Sequence, residues 1–448
     1  MATKTTKPSK SGASGKSSLK RSGHQGPFRV AACWPHQEAP LLLSMAGGTQ
    51  TVVATSFTPI PYDTVASNNI DTLKDNSCDP AFAADLPRWF ILLPYDTYAT
   101  GPDLPLIESE RPMAWEIKAA LVWDSGSTEP RYIARDDAHT SRFHLTMKTH
   151  LKDILSDAEK WLPPSIRPMT LLPGTSDDTY LDSARAIINS IRAGDFYQVT
   201  LLRFFNAPHA HGWENLCALM ESNSGPHGAL LTHGSRVVAS LSPERFVEIT
   251  PNGSSYQIET WPIKGTAARI SSNETRDRDA GEALMASAKD QAELRMIIDL
   301  MRNDLARVCQ DDSIEVLSSG DLKGFKHVWH LEGHVKGRLT PGQTLGQVLA
   351  ILCPGGSITG APKIAAMRRI RSDEGQSRGV FMGNFLRINH DGTLRSNILI
   401  RTLQSDNWMA SARYAAGSGL VVKSIPEQEL LEVRAKCAPV ALQEGLSQ

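Results

Sequence analysis

Residues 289–308, KDQAELRMIIDLMRNDLARV, place Leu294, Ile297, Ile298, Met301, Leu305 and Val308 at helical spacing. Such a helix carries one apolar stripe and needs a surface to bury it against. The neighbouring sequence offers sheet. FYQVTLLRFF (196–205) is aromatic and β-branched, and GALLTH, RVVASLS and RFVEIT within 228–250 read as further strands. DSARAIINSIRAGD (182–195) reads as a helix ending at Gly194, and another helix holds AAMRRIRS. Strands are also expected around NILIRT and ARYAAG. Strands and helices intermix without a regular βαβ rhythm. The expected class is therefore α+β, with large, mostly antiparallel sheets packed together and flanked by helices.

The chain has 448 residues, enough for a sizeable core. Residues 1–25 hold Lys4, Lys7, Lys10, Lys16, Lys20 and Arg21 and no acid. With little apolar surface to offset its ordering entropy, this basic tail is expected to be disordered. The overall charge of −1 leaves the remainder at −7, which argues against a general nucleic-acid binder. No run of 18 apolar residues suggests a membrane span. Six scattered cysteines lack CxxC spacing, so neither a zinc site nor a disulfide scaffold is expected. Reduced thiols suit a cytoplasmic protein. Residues 26–170 read as short strands and loops forming a first part, with PPSIRP (163–168) as a hinge to a second part, 171–448.

Several groups carry chemistry, each with a plainer reading beside it. In SIPEQELLEVRAK (424–436), Ser424 and Glu427 have capping-box spacing and Pro426 suits the first turn. Glu429, Glu432 and Lys436 fall along one face, and Asp290 and Glu293 sit at i and i+3 on the earlier helix. Two such stripes suit a hard cation such as Mg²⁺. From spacing alone, a solvated helix face is favoured. PGGSITGAPK (354–363) is a glycine loop before a helix, either an anion site or a simple cap. Judged singly, His330 is a structural histidine, Arg401 a surface arginine, Glu244 a loop glutamate and Lys264 a solvated turn lysine. Gln198 alternates with aromatic neighbours and would point inward.

Taken in order, SPERF, PIKGT, KDQAE with DLMRNDLARV, VWHLEGHVKG, PGGSITGAPK, NILIRT and PEQELLEVRAK resemble the chorismate-binding enzymes over residues 175–445. That family includes anthranilate, isochorismate, salicylate and aminodeoxychorismate synthases. The resemblance implies that Glu293 and Glu432 hold Mg²⁺, with Asp290 and Glu429 close by. It implies chorismate binding by Gln198, Gly265, Thr266, Thr359, Gly360, Ala361, Arg401, Lys436 and a loop carrying Gly417 and Gly419. Lys264 would be the nucleophile, Glu244 the proton donor, and His330 a catalytic neighbour of the ring. Water-using members carry lysine at the Gln198 position, and only the aminodeoxychorismate-forming branch carries lysine at the Lys264 position. The implied reaction is conversion of chorismate and ammonia to 4-amino-4-deoxychorismate, with a separate glutamine amidotransferase subunit as ammonia source. Its rivals are anthranilate formation and a low-activity subunit that binds chorismate for regulation. Gly333, Leu386, Ser418, Lys423 and Phe381 depart from the residues usual in the family.

Overall fold

Antiparallel pairing carries the architecture of this computed structural model, which describes residues 26–34, 41–46, 50–76, 78–99, 110–135, 142–209, 211–270, 273–324, 328–408 and 410–441. The basic tail lies outside the described residues. The strand Gln198–Ala207 is buried at nearly every position because both its faces are covered. It pairs along its length with Ala412–Leu420, and its first residues pair with Gly360–Ala361. The hairpin Ala229–His233/Arg236–Ser240 joins this sheet through Thr402–Ser405.

The two parts expected from the sequence share one hydrogen-bonded strand network. Leu41–Ala46 pairs with Ala229–His233, and Pro87–Leu93 pairs with Asn384–Asn389. Residues 163–168 lead into a fixed crossing: Arg167 exchanges two hydrogen bonds with the Asn215 side chain. Met169 donates to the Val440 carbonyl. Two apolar cores result. One gathers Phe90, Trp115, Ile297 and Met301; the other gathers Tyr180, Ile187, Phe205, Trp213 and Val433.

The helix Ala288–Ala306 buries the expected stripe, including Leu294, Ile297, Ile298, Met301 and Leu305. The helix Asp177–Ala193 ends at Gly194, whose φ of 91° is the left-handed cap the sequence predicts. Three expectations need correction. The first part is not only strands and loops: Pro27–Ala32, Tyr62–Ala66, Pro80–Ala83 and Arg142–Lys160 are helices. In the last of these, Leu151, Ile154 and Ala158 are buried at helical spacing among charged residues. The Ser424–Glu427 capping box does not form. The closing helix is Pro426–Ala435, Ser424 accepts instead from the Val421 N–H, and Glu427 reaches Arg185. NILIRT is broken, because Ile398–Arg401 runs between two strands and Arg401 has φ 50°. Three of the family departures have local reasons. A side chain at Gly333 would meet Ile298 at 2.7 Å. Ser418 bonds the Tyr180 hydroxyl at 3.1 Å, and Leu386 is core.

One buried ion pair ties the elements that carry the site. Arg378 and Glu374, both about fully enclosed, meet at 2.6 Å. The same guanidinium donates to the carbonyls of Ile358 and Thr200, while Glu374 accepts from the Leu202 N–H. Arg378→Met leaves the Glu374 charge unpaired, so a loss of about 3–5 kcal/mol in unfolding free energy is expected, read from urea denaturation.

Candidate active site

Lys264 lies in the strand Ile263–Ala268 beside a bulge, where its register against Val328–Arg338 slips between Lys264 and Thr266. Gly265 makes the bulge with φ 73°, a conformation that favours glycine. A Cβ there would sit 3.0 Å from Asp290 Oδ1 and 2.9 Å from Leu284. The bulge is thus pressed against the start of the helix Ala288–Ala306, and bulges re-aim side chains. The Lys264 amine ends 3.3 Å from where a Gly419 Cβ would stand, and Gln198 Nε2 is at the same distance. Its charge acts on three carboxylates, those of Glu244, Glu293 and Glu432.

A cavity of about 190 Å³ opens over this lysine, lined in part by Glu244, Gly265, Thr266, His330, Arg401, Gly417, Gly419, Glu432 and Lys436. These come from five of the seven motifs and from the strand Ala412–Leu420. Desolvation pushes the Glu244 carboxyl up to about 7, against the pull of Lys264, Lys436 and Arg401. Such a group can carry a proton at neutral pH. His330 is buried, and its Nδ1 lies 3.1 Å from Thr266 Oγ1 and 3.2 Å from the Gly265 carbonyl. Burial, with Arg401 nearby, lowers its pKa despite the Gly265 bond. The ring is therefore neutral, with Nδ1 donating to the carbonyl. Lys436 donates to the Gly417 carbonyl at 2.7 Å and pairs with Glu432 at 2.7 Å. With Arg401 it makes one wall cationic, as a dicarboxylate requires.

Other expected residues stand at the edge. Thr359 turns its hydroxyl back to the Gly355 carbonyl at 2.9 Å. Gly360 packs so closely on Gln198 that a Cβ would be 2.1 Å from its carbonyl oxygen, and Ala361 pairs with Gln198. Gly417 and Gly419 lie in a strand rather than in a loop. Among the carboxylates, burial raises Glu293, helped by Asp290 and Glu429 and opposed by Lys264 and Lys289. Burial also raises Glu432, but Lys436, Lys264 and Lys289 outweigh it and leave it lowered. Asp290 accepts from the Ser287 hydroxyl, and Glu429 is buried. Among the described residues no three His, Cys, Asp or Glu side chains converge on a common point. Two oxygen-donor carboxylates facing one lysine still suit Mg²⁺, which takes one or two protein carboxylates and keeps positions for water and substrate. Thr200 and Tyr414 also line the cavity and were not picked out from the sequence. The period of two from Gln198 points to Thr200; nothing local marks Tyr414.

Comparison with known proteins agrees with this geometry. A family described as chorismate binding enzyme matches residues 54–441. Anthranilate synthase component 1 of Thermus thermophilus is 35% identical over 259 residues, covering 57% of this chain and 54% of that protein. Aminodeoxychorismate synthase component 1 of Klebsiella aerogenes is 36% identical over 258 residues, covering 57% and 56%. The matched stretch thus spans about half the length of these relatives. The crystal structure of anthranilate synthase component I from Streptococcus pneumoniae superposes with a TM-score of 0.68 at 24% identity, covering 89% of each chain, a likeness of fold. With a match over most of its length and the motif residues gathered round one cavity, the chain belongs to the chorismate-binding enzyme family.

Proposed function

We propose that the protein aminates chorismate, forming 4-amino-4-deoxychorismate on the route to p-aminobenzoate and folate. The observation that carries this reading is the Lys264 amine, aimed by its bulge to meet Gln198 over Gly419. Arg401 and Lys436 would take the carboxylates of the substrate. Glu293 and Glu432, with Asp290 and Glu429 near them, would hold Mg²⁺, whose charge would offset that of the ring carboxylate. Lys264, uncharged when it attacks, forms a bond to ring C2. Both ring double bonds shift, the C4–O bond breaks, and the hydroxyl leaves as water with the Glu244 proton. Ammonia then bonds to C4, both double bonds shift back, the C2–Nζ bond breaks, and Lys264 departs as an amine. The surplus proton on the new amine returns to Glu244, which restores the starting state. A covalent intermediate divides one difficult displacement into two easier ones.

Ammonia would come from a glutamine amidotransferase partner, and the product would pass to a separate lyase. Purified protein with chorismate, Mg²⁺ and ammonium is expected to yield aminodeoxychorismate, and p-aminobenzoate once an aminodeoxychorismate lyase is added. Formation of anthranilate, or no loss of chorismate, would overturn the reading. Anthranilate formation is the second reading, favoured by near-equal identity to synthases of both kinds. Removal of Mg²⁺ by chelation is expected to abolish turnover, and Mg²⁺ added back to restore it.

A further inference from the structure

Two polar side chains at the site have no hydrogen-bond partner among the described residues. Both amide atoms of Gln198 and the hydroxyl of Thr200 are buried and unsatisfied; their residues are 1% and 4% exposed. Leaving such groups unpaired is costly, so native proteins rarely do it without a ligand or water to complete them. Residues 198 and 200 of one strand share a face. Thr200 stands directly opposite Gly419 in the antiparallel ladder, the residue over which Gln198 Nε2 and Lys264 Nζ converge. Thr200 lines the cavity, and its carbonyl is held by Arg378 at 2.8 Å. The hydroxyl therefore sits on a fixed backbone beside the reacting lysine.

We infer that Thr200 is a specificity-determining residue, whose hydroxyl joins the Gln198 carboxamide oxygen to hold ammonia for its attack. The amide presents Nε2 toward Gly419, and a half-turn that breaks no hydrogen bond to the described residues presents its oxygen there instead. This rests on the amination reading. Ammonia has three N–H donors and one lone pair. Two acceptors that take N–H bonds leave the lone pair aimed at carbon. Water in the same place needs a base to take its proton as it attacks, and neither an amide nor a threonine hydroxyl is a base at neutral pH. The pair thus suits ammonia over water without excluding water by size.

The test is steady-state kinetics of Thr200→Val, which keeps the shape and removes the hydroxyl. Ammonium is varied at fixed pH and ionic strength. The loss of one hydrogen bond predicts a rise in ammonium KM of roughly fivefold to tenfold. Chorismate KM and the urea midpoint should be unchanged, and Thr200→Ser should restore ammonium KM. An unchanged ammonium KM in the valine variant overturns the inference. So does a parallel rise in chorismate KM, or a failure of serine to rescue, because either marks a packing role. If the wild-type protein forms no aminated product, the amination reading itself falls and takes this inference with it. If the wild type aminates and Thr200→Val is indifferent, only the role of Thr200 falls.

Discussion

Lys264→Ala is expected to lower formation of the aminated product by on the order of 10³-fold or more, because it removes the atom that opens the covalent route. The fold should survive. Lys264 is only partly buried, and alanine fits a strand position whose backbone pairing is unchanged. The urea midpoint should therefore match wild type. The variant has a second signature. Lys264 is the largest charge opposing the rise of both Glu244 and Glu293. Without it both carboxyls should titrate higher, so any residual turnover should shift its alkaline limb upward. Denaturing mass spectrometry of wild-type protein quenched during turnover should find the substrate ring on the peptide carrying Lys264, and no adduct on the variant. Turnover unchanged in rate and product would end the covalent mechanism while leaving the family assignment intact.

Glu244→Gln is expected to cost about 10²–10⁴ in turnover, the usual range for a lost proton donor. Wild-type kcat/KM should fall on the alkaline side with an apparent pKa near 7, the value to which desolvation pushes this carboxyl. In the glutamine variant that limb should vanish. Stability supplies an independent reading of the same shift. A glutamate in the unfolded chain titrates near about 4.3, so the folded protein holds this proton more tightly. The stabilisation linked to the proton is complete below the unfolded value and is lost as pH rises through the folded value near 7. The variant carries no such proton. Its urea midpoint relative to wild type should therefore be higher at pH 8 than at pH 5. If that difference does not change with pH, Glu244 is not raised and is a poor candidate for the acid.

How far these residues could be read from the chain depends on the range of the interaction. The helix Ala288–Ala306 announces itself, because burial of one face imposes a period that five apolar residues follow. Gly194 ends its helix for an equally local reason. The helix Arg142–Lys160 carried the same signal, with Leu151, Ile154 and Ala158 in step, but charged neighbours masked it. Ser424 had the spacing of a cap, yet tertiary pairing won: its hydroxyl serves Val421, and Glu427 goes to Arg185 on another helix. Lys264, Glu244 and Glu432 were recognised by motif order. None of the three has a local feature that separates it from a solvated charge.

The order of motifs, the periods of strand and helix, and the choice of lysine over alanine at position 264 are properties of the chain, because each depends on residue type and spacing alone. What Lys264 faces is not. Its bulge is set by Gly265 against Asp290, its neighbours Glu244 and Glu432 lie on a loop and a distant helix, and the glycine beneath it belongs to a strand 155 residues on. The raised Glu244, the neutral His330 and the buried hydroxyl of Thr200 arise only when these segments exclude water together. Desolvation and Coulomb terms act through space between remote residues, so they come into being with the fold.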